Sequence, residues 1–292
     1  MPSTDVRGQG FIPVKDILKN EYWYGNNVHW PEAPKQGVAA RFRGRLAKSL
    51  FRKPRLRLRP DAEQLALASR LAGCRAGARC MDGGCPECGE GFQAWQTKRV
   101  GKLASAGGAY AVTIVPADTM CEELTANCAL RVLRRVREVI ENTGLVEWGV
   151  LGLDLSFNDF TCESLDAVWS SESPRLGWQP HVYGLVRPTD WDRFRELLGD
   201  AFPAGLGVEI PVKGVRYKGG LSCPSYILKW RFQRRNSFRT GKGLSSSTPN
   251  LPIHRELQLR RVLSEIGLAG RLELIGVKIN SKPNRILLER MT

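Results

Sequence analysis

Two stretches of this chain, residues 147–157 and 178–186, alternate their side chains with a period of two, and that pattern limits what the rest can build. Along a strand, successive side chains point to opposite faces. In the first stretch Leu151, Leu153, Leu155 and Phe157 fall on one face, and Gly152, Asp154 and Ser156 on the other. In the second, Trp178, Val182 and Val186 share an apolar face, while Gln179, His181 and Tyr183 share the opposite one. Both apolar sets need burial, so each strand has a core face and a polar face. Consecutive strands are commonly neighbours, which predicts an antiparallel pair with Asp154 beside His181 on the polar side.

The surrounding segments extend this pair into a domain. Tyr110–Val115 is rich in β-forming residues, and 120–143 reads as a long helix with Arg131, Arg134, Arg135 and Arg137 along one flank. Residues 190–202 place Trp191, Phe194, Leu197 and Leu198 at helical spacing. Val208–Val212 reads as a strand, and Pro211 puts it near an edge. Ser225–Arg235 is predicted as a helix and Thr240–Pro249 as a loop, followed by a helix to about Ile266 and a last strand over Leu272–Ile279. The β-α-β-β-α-β order predicts an α+β domain of the split β-α-β type, an antiparallel sheet with helices on one face. Upstream, Pro60-Asp61 opens a short amphipathic helix over 61–72, a cysteine-rich knuckle spans 74–88, and a polar helix runs to about 104. Residues 1–60 read as an irregular basic arm in which Tyr22, Trp23, Tyr24 and Trp30 sit among Gly, Asn and Pro. The expected division is therefore 1–60, 61–104 and 105–292.

The polar strand face gains a partner 45 residues after His181, where Tyr226-Ile-Leu-Lys229 lies in the predicted helix. Residues three apart share a helix side, so a phenol and an ammonium stand together. A phenol oxygen can attack a phosphodiester, a lysine can balance charge on phosphate or phenolate, and an imidazole can hold a metal. The bland alternatives are a core tyrosine, flanked by Ile227, Leu228 and Trp230, and a hydrogen-bonded structural histidine. The pattern resembles the replication initiators of the HUH endonuclease superfamily, the rolling-circle Rep proteins of plasmids and phages. Pro180-His-Val-Tyr-Gly-Leu-Val186 is similar to that family's metal-binding strand, except that Tyr183 stands where a second histidine is usual. Tyr226-Ile-Leu-Lys229-Trp-Arg-Phe-Gln233 is similar to its nicking helix, with Trp230 and Gln233 where a second Tyr and Lys can stand. The likeness runs from about residue 70 to 280. It implies an HUH/RRM-like fold, Tyr226 as the nucleophile, Lys229 as its support, and His181 with Asp154 holding Mg²⁺ or Mn²⁺. Tyr183 is a poor substitute for a neutral imidazole, so weakened metal binding or a dead site follows from the same comparison.

Cys74, Cys80, Cys85 and Cys88 place four thiols within fifteen residues, with Gly73, Gly77, Gly83, Gly84 and Gly89 for tight turns. Four thiolates satisfy a tetrahedral zinc, and such a closed site is structural because it leaves no open position. The x5 and x4 gaps are unusual, which leaves room for a ligand from Cys121 or Cys128, or for a chance cluster of reduced thiols. Several plasmid Rep proteins look similar here, with a Cys-Pro-x-Cys segment before the first core strand.

Forty-four Lys and Arg against 29 acids give a net charge of +15, which favours a polyanion, nucleic acid first. Arg41, Arg43, Arg45, Lys48, Arg52, Lys53, Arg55, Arg57 and Arg59 run without an acid among them. They read as phosphate contacts that position a strand without reading its bases, or as a solvated tail. No apolar run reaches membrane length and the N-terminus has no apolar h-region, so a cytoplasmic protein without a membrane partner is expected. The resemblance implies a bacterial or mobile-element protein acting on a single-stranded or hairpin DNA origin, with host replication proteins as further partners. Thr240-Gly-Lys-Gly lacks the upstream glycine of a phosphate loop, so no ATP-driven motor is read here. Two rivals stand beside the nicking enzyme: an inactive Rep-like DNA-binding regulator, and a zinc-containing RNA-binding protein.

Overall fold

The computed structural model describes residues 38–51, 61–75, 78–159, 177–205, 208–240, 243–247, 249–282 and 285–291. In chain order these form α1 (Val38–Phe51), α2 (Ala62–Gly73), α3 (Pro86–Ala104), β1 (Tyr110–Ile114), α4 (Ala126–Asn142), β2 (Val146–Asp159) and β3 (Gly177–Pro188). There follow α5 (Trp191–Ala201), β4 (Val212–Arg216), α6 (Ser222–Ile227), β5 (Arg234–Thr240), β6 (Gly243–Ser247), α7 (Ile253–Ile266), β7 (Leu272–Ile275), β8 (Val277–Lys282) and β9 (Arg285–Arg290).

Four strands lie in the order β4-β1-β3-β2, every neighbouring pair antiparallel. β1 and β2 therefore run the same way on either side of β3 and are joined through α4, which is a split β-α-β unit. The register places Asp154 opposite His181, Gly152 opposite Tyr183 and Ser156 opposite Gln179, as the alternation predicts. The far edge of β2 is shared: β7 pairs antiparallel with Gly149–Gly152, and β5 pairs parallel with 157–159. The sheet is thus mixed, not wholly antiparallel.

Helices cover both faces, which corrects the one-sided packing read from the sequence. On the first face Leu151, Leu153, Leu155, Phe157, Val182 and Val186 meet α4, α5 and α7 in one core. α4 suits this role because Ala126, Ala129, Val132, Leu133, Val136 and Ile140 recur on one side. Its start is fixed by the Thr125 side chain, which accepts from the Cys128 N–H. On the second face Trp148, Val150 and Leu185 pack with α2, α3, α6 and the cysteine segment in another core. Local amphipathicity betrays only the first of these layers, because α3 carries Cys88, Phe92 and Trp95 amid polar residues.

Five further expectations change. Residues 38–51 are helical, with Leu46, Ala47 and Leu50 buried, so that part of the arm belongs to the folded body. The helix read over 225–235 is the six-residue α6, and Lys229 lies beyond its end. Within the Ser/Gly/Thr-rich loop read over 240–249, Gly243–Ser247 form β6 and pair antiparallel with β5. The last strand breaks at Gly276, whose φ of 58° and close approach to the Glu147 carbonyl suit only glycine, and resumes as β8. Val208 makes only an isolated bridge to Gly205, and the strand begins at Val212, with β4 at the sheet edge. The aromatic segment 22–30 and Arg52, Lys53, Arg55, Arg57 and Arg59 lie outside the described residues.

Trp191 stacks on Tyr110 with ring centroids 4.1 Å apart and covers Gly214, so that a Cβ there would enter the indole. Gly214→Ala should therefore cost about 1–3 kcal/mol of overpacking, read as a lower urea midpoint. An unchanged midpoint would show that this corner repacks freely.

Candidate functional site

The four cysteines converge. Cys74 ends α2, Cys85 caps α3, Cys88 lies in the first turn of α3, and Cys80 comes from the loop between the helices. Their sulfurs all lie within 4.8 Å of one another, and Cys74–Cys88, Cys80–Cys88 and Cys74–Cys85 are each 3.7 Å apart. Four sulfurs around a tetrahedral zinc stand about 3.8 Å apart, given a bond of about 2.3 Å. The group therefore suits a metal ion such as zinc. Among the described residues no other cluster of three or more His, Cys, Asp or Glu does so. The knuckle is shaped by Asp82, whose side chain accepts from the Gly84 N–H at 2.7 Å and pairs with Arg70 at 2.8 Å. Gly83 and Gly84 lie against the α7 carbonyls of Leu263 and Arg260, where a Cβ does not fit. Arg79 pairs with Glu87 beside the group, placing a cation near the four thiols.

Cys121 and Cys128 do not complete this group. Their sulfurs lie 2.8 Å from each other, beside the start of β3. Burial, with Cys128 adding to it, pushes the Cys121 thiol up to about 12.

The second constellation lies on the polar face of β2 and β3. Asp154 is 3% exposed, and its Oδ2 meets His181 Nε2 at 3.0 Å and Lys229 Nζ at 2.5 Å. Burial alone would push this carboxyl up, but the charges of His181 and Lys229 outweigh it and hold the group well below the usual carboxylate range. Burial likewise opposes the Lys229 ammonium, and the Asp154 charge overturns that, leaving the amine above its ordinary value. The other imidazole nitrogen, His181 Nδ1, lies 2.9 Å from the Gln179 carbonyl. Among the described residues, Asp154 Oδ1 and Gln179 Oε1 are buried without a partner.

Tyr226 reaches this group because α6 ends on Gly152. A Cβ at 152 would collide with the Ile227 carbonyl, so only glycine admits the helix so close to β2. Tyr226 is 53% exposed, at variance with a core tyrosine. Lys229 Nζ sits 4.8 Å from the Tyr183 ring centroid and 5.4 Å from that of Tyr226, and the two phenol rings are 6.0 Å apart. Tyr183 thus meets both His181 and Tyr226 edge to face; burial first, then the Asp154 charge, raises its phenol, which disfavours a phenolate ligand.

α3 joins the two constellations. It begins in the cysteine group, and its Gln93 donates to the Ser225 carbonyl of α6 at 2.6 Å. Gly89 and Gly101 of the same helix pack against Trp230 and Leu221. Among the cations of the former arm, Arg43 is tied to Glu87 at 2.8 Å and to the Leu71 carbonyl. Arg41, Arg45 and Lys48 are exposed on α1. Gly152 was open to discovery as an isolated glycine inside an alternating strand. No local signal marks Arg260 and Arg271, which are buried beneath the segment after α6.

The chain matches no family model, no curated protein and no solved structure. Among the described residues no helix is long and apolar enough to cross a membrane.

Two outcomes follow from this geometry. Metal analysis should find about one zinc per chain, and Cys85→Ser should release it and loosen α3, a loss on the order of 10 kcal/mol for a structural site. Reduced protein that folds without metal would contradict the assignment. Because the Asp154 carboxyl is depressed on folding, its stabilisation is complete above the unfolded carboxylate range and is lost as pH falls below it. Urea midpoints taken from about pH 7 to about pH 3 should therefore fall less steeply in Asp154→Asn than in the wild type. Equal slopes would show that the carboxyl titrates normally.

Proposed function

We propose that this chain is a Rep-like protein of the HUH endonuclease type that nicks and rejoins single-stranded DNA through Tyr226. The observation that carries the reading is an exposed phenol beside an ammonium that is itself anchored on a buried carboxylate. The Tyr226 oxygen attacks a backbone phosphorus, a phosphorus–tyrosine bond forms, and the bond to the 3′ oxygen breaks. The phenol loses its proton and the departing 3′ oxygen gains one, leaving a 5′-phosphotyrosine and a free 3′-hydroxyl. Attack by a 3′-hydroxyl on that linkage reverses the step without ATP. Lys229 lies within reach of both phenol rings and offsets negative charge as it develops.

The unpartnered Asp154 Oδ1 suits a hard cation. That oxygen and the His181 ring are the groups that would hold Mg²⁺ or Mn²⁺, once the Nε2 contact to Oδ2 is given up. When bound, such an ion supplies a Lewis acid for a phosphate oxygen. Zinc held by the cysteine group would keep α3, and through it α6, in place. The net charge of +15 and the exposed cations of α1 supply attraction for a phosphate backbone.

A second reading, an inactive DNA-binding regulator, draws on Lys229 and His181 already sharing the Asp154 charge and on Tyr183 replacing a second imidazole. Covalent capture separates the two. Wild-type protein with origin-like single strands and Mn²⁺ should form a denaturation-resistant adduct. Tyr226→Phe should abolish it while changing binding by no more than about 0.5 kcal/mol. An adduct that survives Tyr226→Phe would remove Tyr226 as nucleophile. Binding without an adduct on any supplied strand would favour the regulator.

A further inference from the structure

We infer that Arg271 is a positioning residue for the Tyr226 site: its buried guanidinium stands in for a missing strand and fixes the backbone that carries Lys229. The inference rests on the role proposed for Lys229 and extends it to a residue on the opposite side of β2. Along that edge of β2, β7 covers residues 149–152 and β5 covers 157–159. Residues 153–156 between them, which include Asp154, have neither ladder. Buried backbone groups need partners, so something else must serve this gap.

Arg271 serves it. It stands just before β7, where the register would continue past the Gly152–Leu272 pair to Leu153. Its Nη2 donates to the Leu153 carbonyl at 3.1 Å and to the Lys229 carbonyl at 2.8 Å. One nitrogen thus ties the outer edge of the site strand to the residue whose ammonium meets Asp154. The next carbonyl, that of Trp230, is taken by Arg260 Nη2 at 3.1 Å, and Arg260 is in turn held by Glu256 at 2.6 Å. Phe232 lies between the two guanidinium groups, 4.9 Å from that of Arg271 and 5.5 Å from that of Arg260. Two successive carbonyls beyond a six-residue helix are therefore clamped by two buried arginines.

Arg271 is 3% exposed and has no carboxylate within ion-pairing distance among the described residues. The Asp154 charge favours this cation without an ion-pair contact, but burial outweighs it. A buried cation so placed is costly, and an apolar side chain of similar size fills such a space more cheaply. Packing alone therefore does not account for an arginine here. Two donor bonds from one planar head, one to each of two segments, do account for it.

The test reads Lys229 directly and does not depend on nicking. Full-length, metal-loaded protein is treated with an amine-reactive ester, and modification of Lys229 is followed by peptide mass spectrometry against exposed Lys213 as reference. In the wild type Lys229 should react slowly, because its ammonium is held on Asp154. Arg271→Met should speed its labelling about tenfold or more relative to Lys213, whereas Arg271→Lys, which retains a charge and a donor, should retain most of the protection. If Arg271→Met does not fold, Phe232→Leu carries the same test by loosening the ring beneath the guanidinium. Unchanged Lys229 labelling in the folded variant would overturn the inference even if the wild type nicks DNA. Faster labelling would uphold it even if no covalent DNA adduct ever forms. Where the adduct does form, Arg271→Met should reduce its rate and leave DNA binding intact; a fall in binding alone would place Arg271 outside the site's geometry.

Discussion

A carboxylate buried in a sheet cannot be left without compensating charge, and Asp154 imposes that requirement on everything around it. Its backbone belongs to β2 and its side chain points away from the main core. His181 is supplied by register, since β3 lies directly alongside. Lys229 is supplied by topology, from a segment that must cross the strand to arrive. The crossing needs a glycine at 152 and a short helix that stops on it. It then needs anchors for the chain beyond the helix, which Arg271 and Arg260 provide. The exposed tyrosine is a consequence of this path, because the last turn of α6 rises from the sheet at the point where Lys229 descends to it.

The cysteine group acts on the same helix from the other side. α3 starts at two of the thiols and runs beneath α6, bonding the Ser225 carbonyl through Gln93. Its glycines let Trp230 and Leu221 approach closely. A metal held by the thiols would set the direction of α3, and α3 limits where α6 can lie. The N-terminal module is in this sense part of the site's support. That dependence also explains why Trp148, Val150 and Leu185 are buried on a face that a two-layer domain would leave to solvent.

The parts legible in the sequence are those set by local periodicity. Alternation across 147–157 and 178–186 placed Asp154 against His181, and cysteine spacing brought four sulfurs together. What escaped depends on contacts between distant segments. The helical pattern after Ser225 continues through Trp230, yet the chain leaves the helix at Leu228 because the Lys229 and Trp230 carbonyls find arginine donors from residues 260 and 271. The run of cations from residue 41 reads as part of one irregular basic arm. Leu46 and Leu50 fold its first part onto the body, and Arg43 spends its charge on Glu87. Parallel pairing of β5 with β2 had no local signature either, since its strand is rich in Arg, Asn and Ser.

Asp154 and Lys229 form one energetic unit on which the Tyr226 site is built. A double-mutant cycle with Asp154→Asn, Lys229→Met and the pair, read by urea unfolding at neutral pH, measures that coupling directly. A buried, directly bonded pair should show a coupling of about 1–3 kcal/mol, the double variant being less damaged than the sum of the singles. Additive losses, with coupling near zero, would mean that the ammonium does not rest on the carboxylate and would contradict the account.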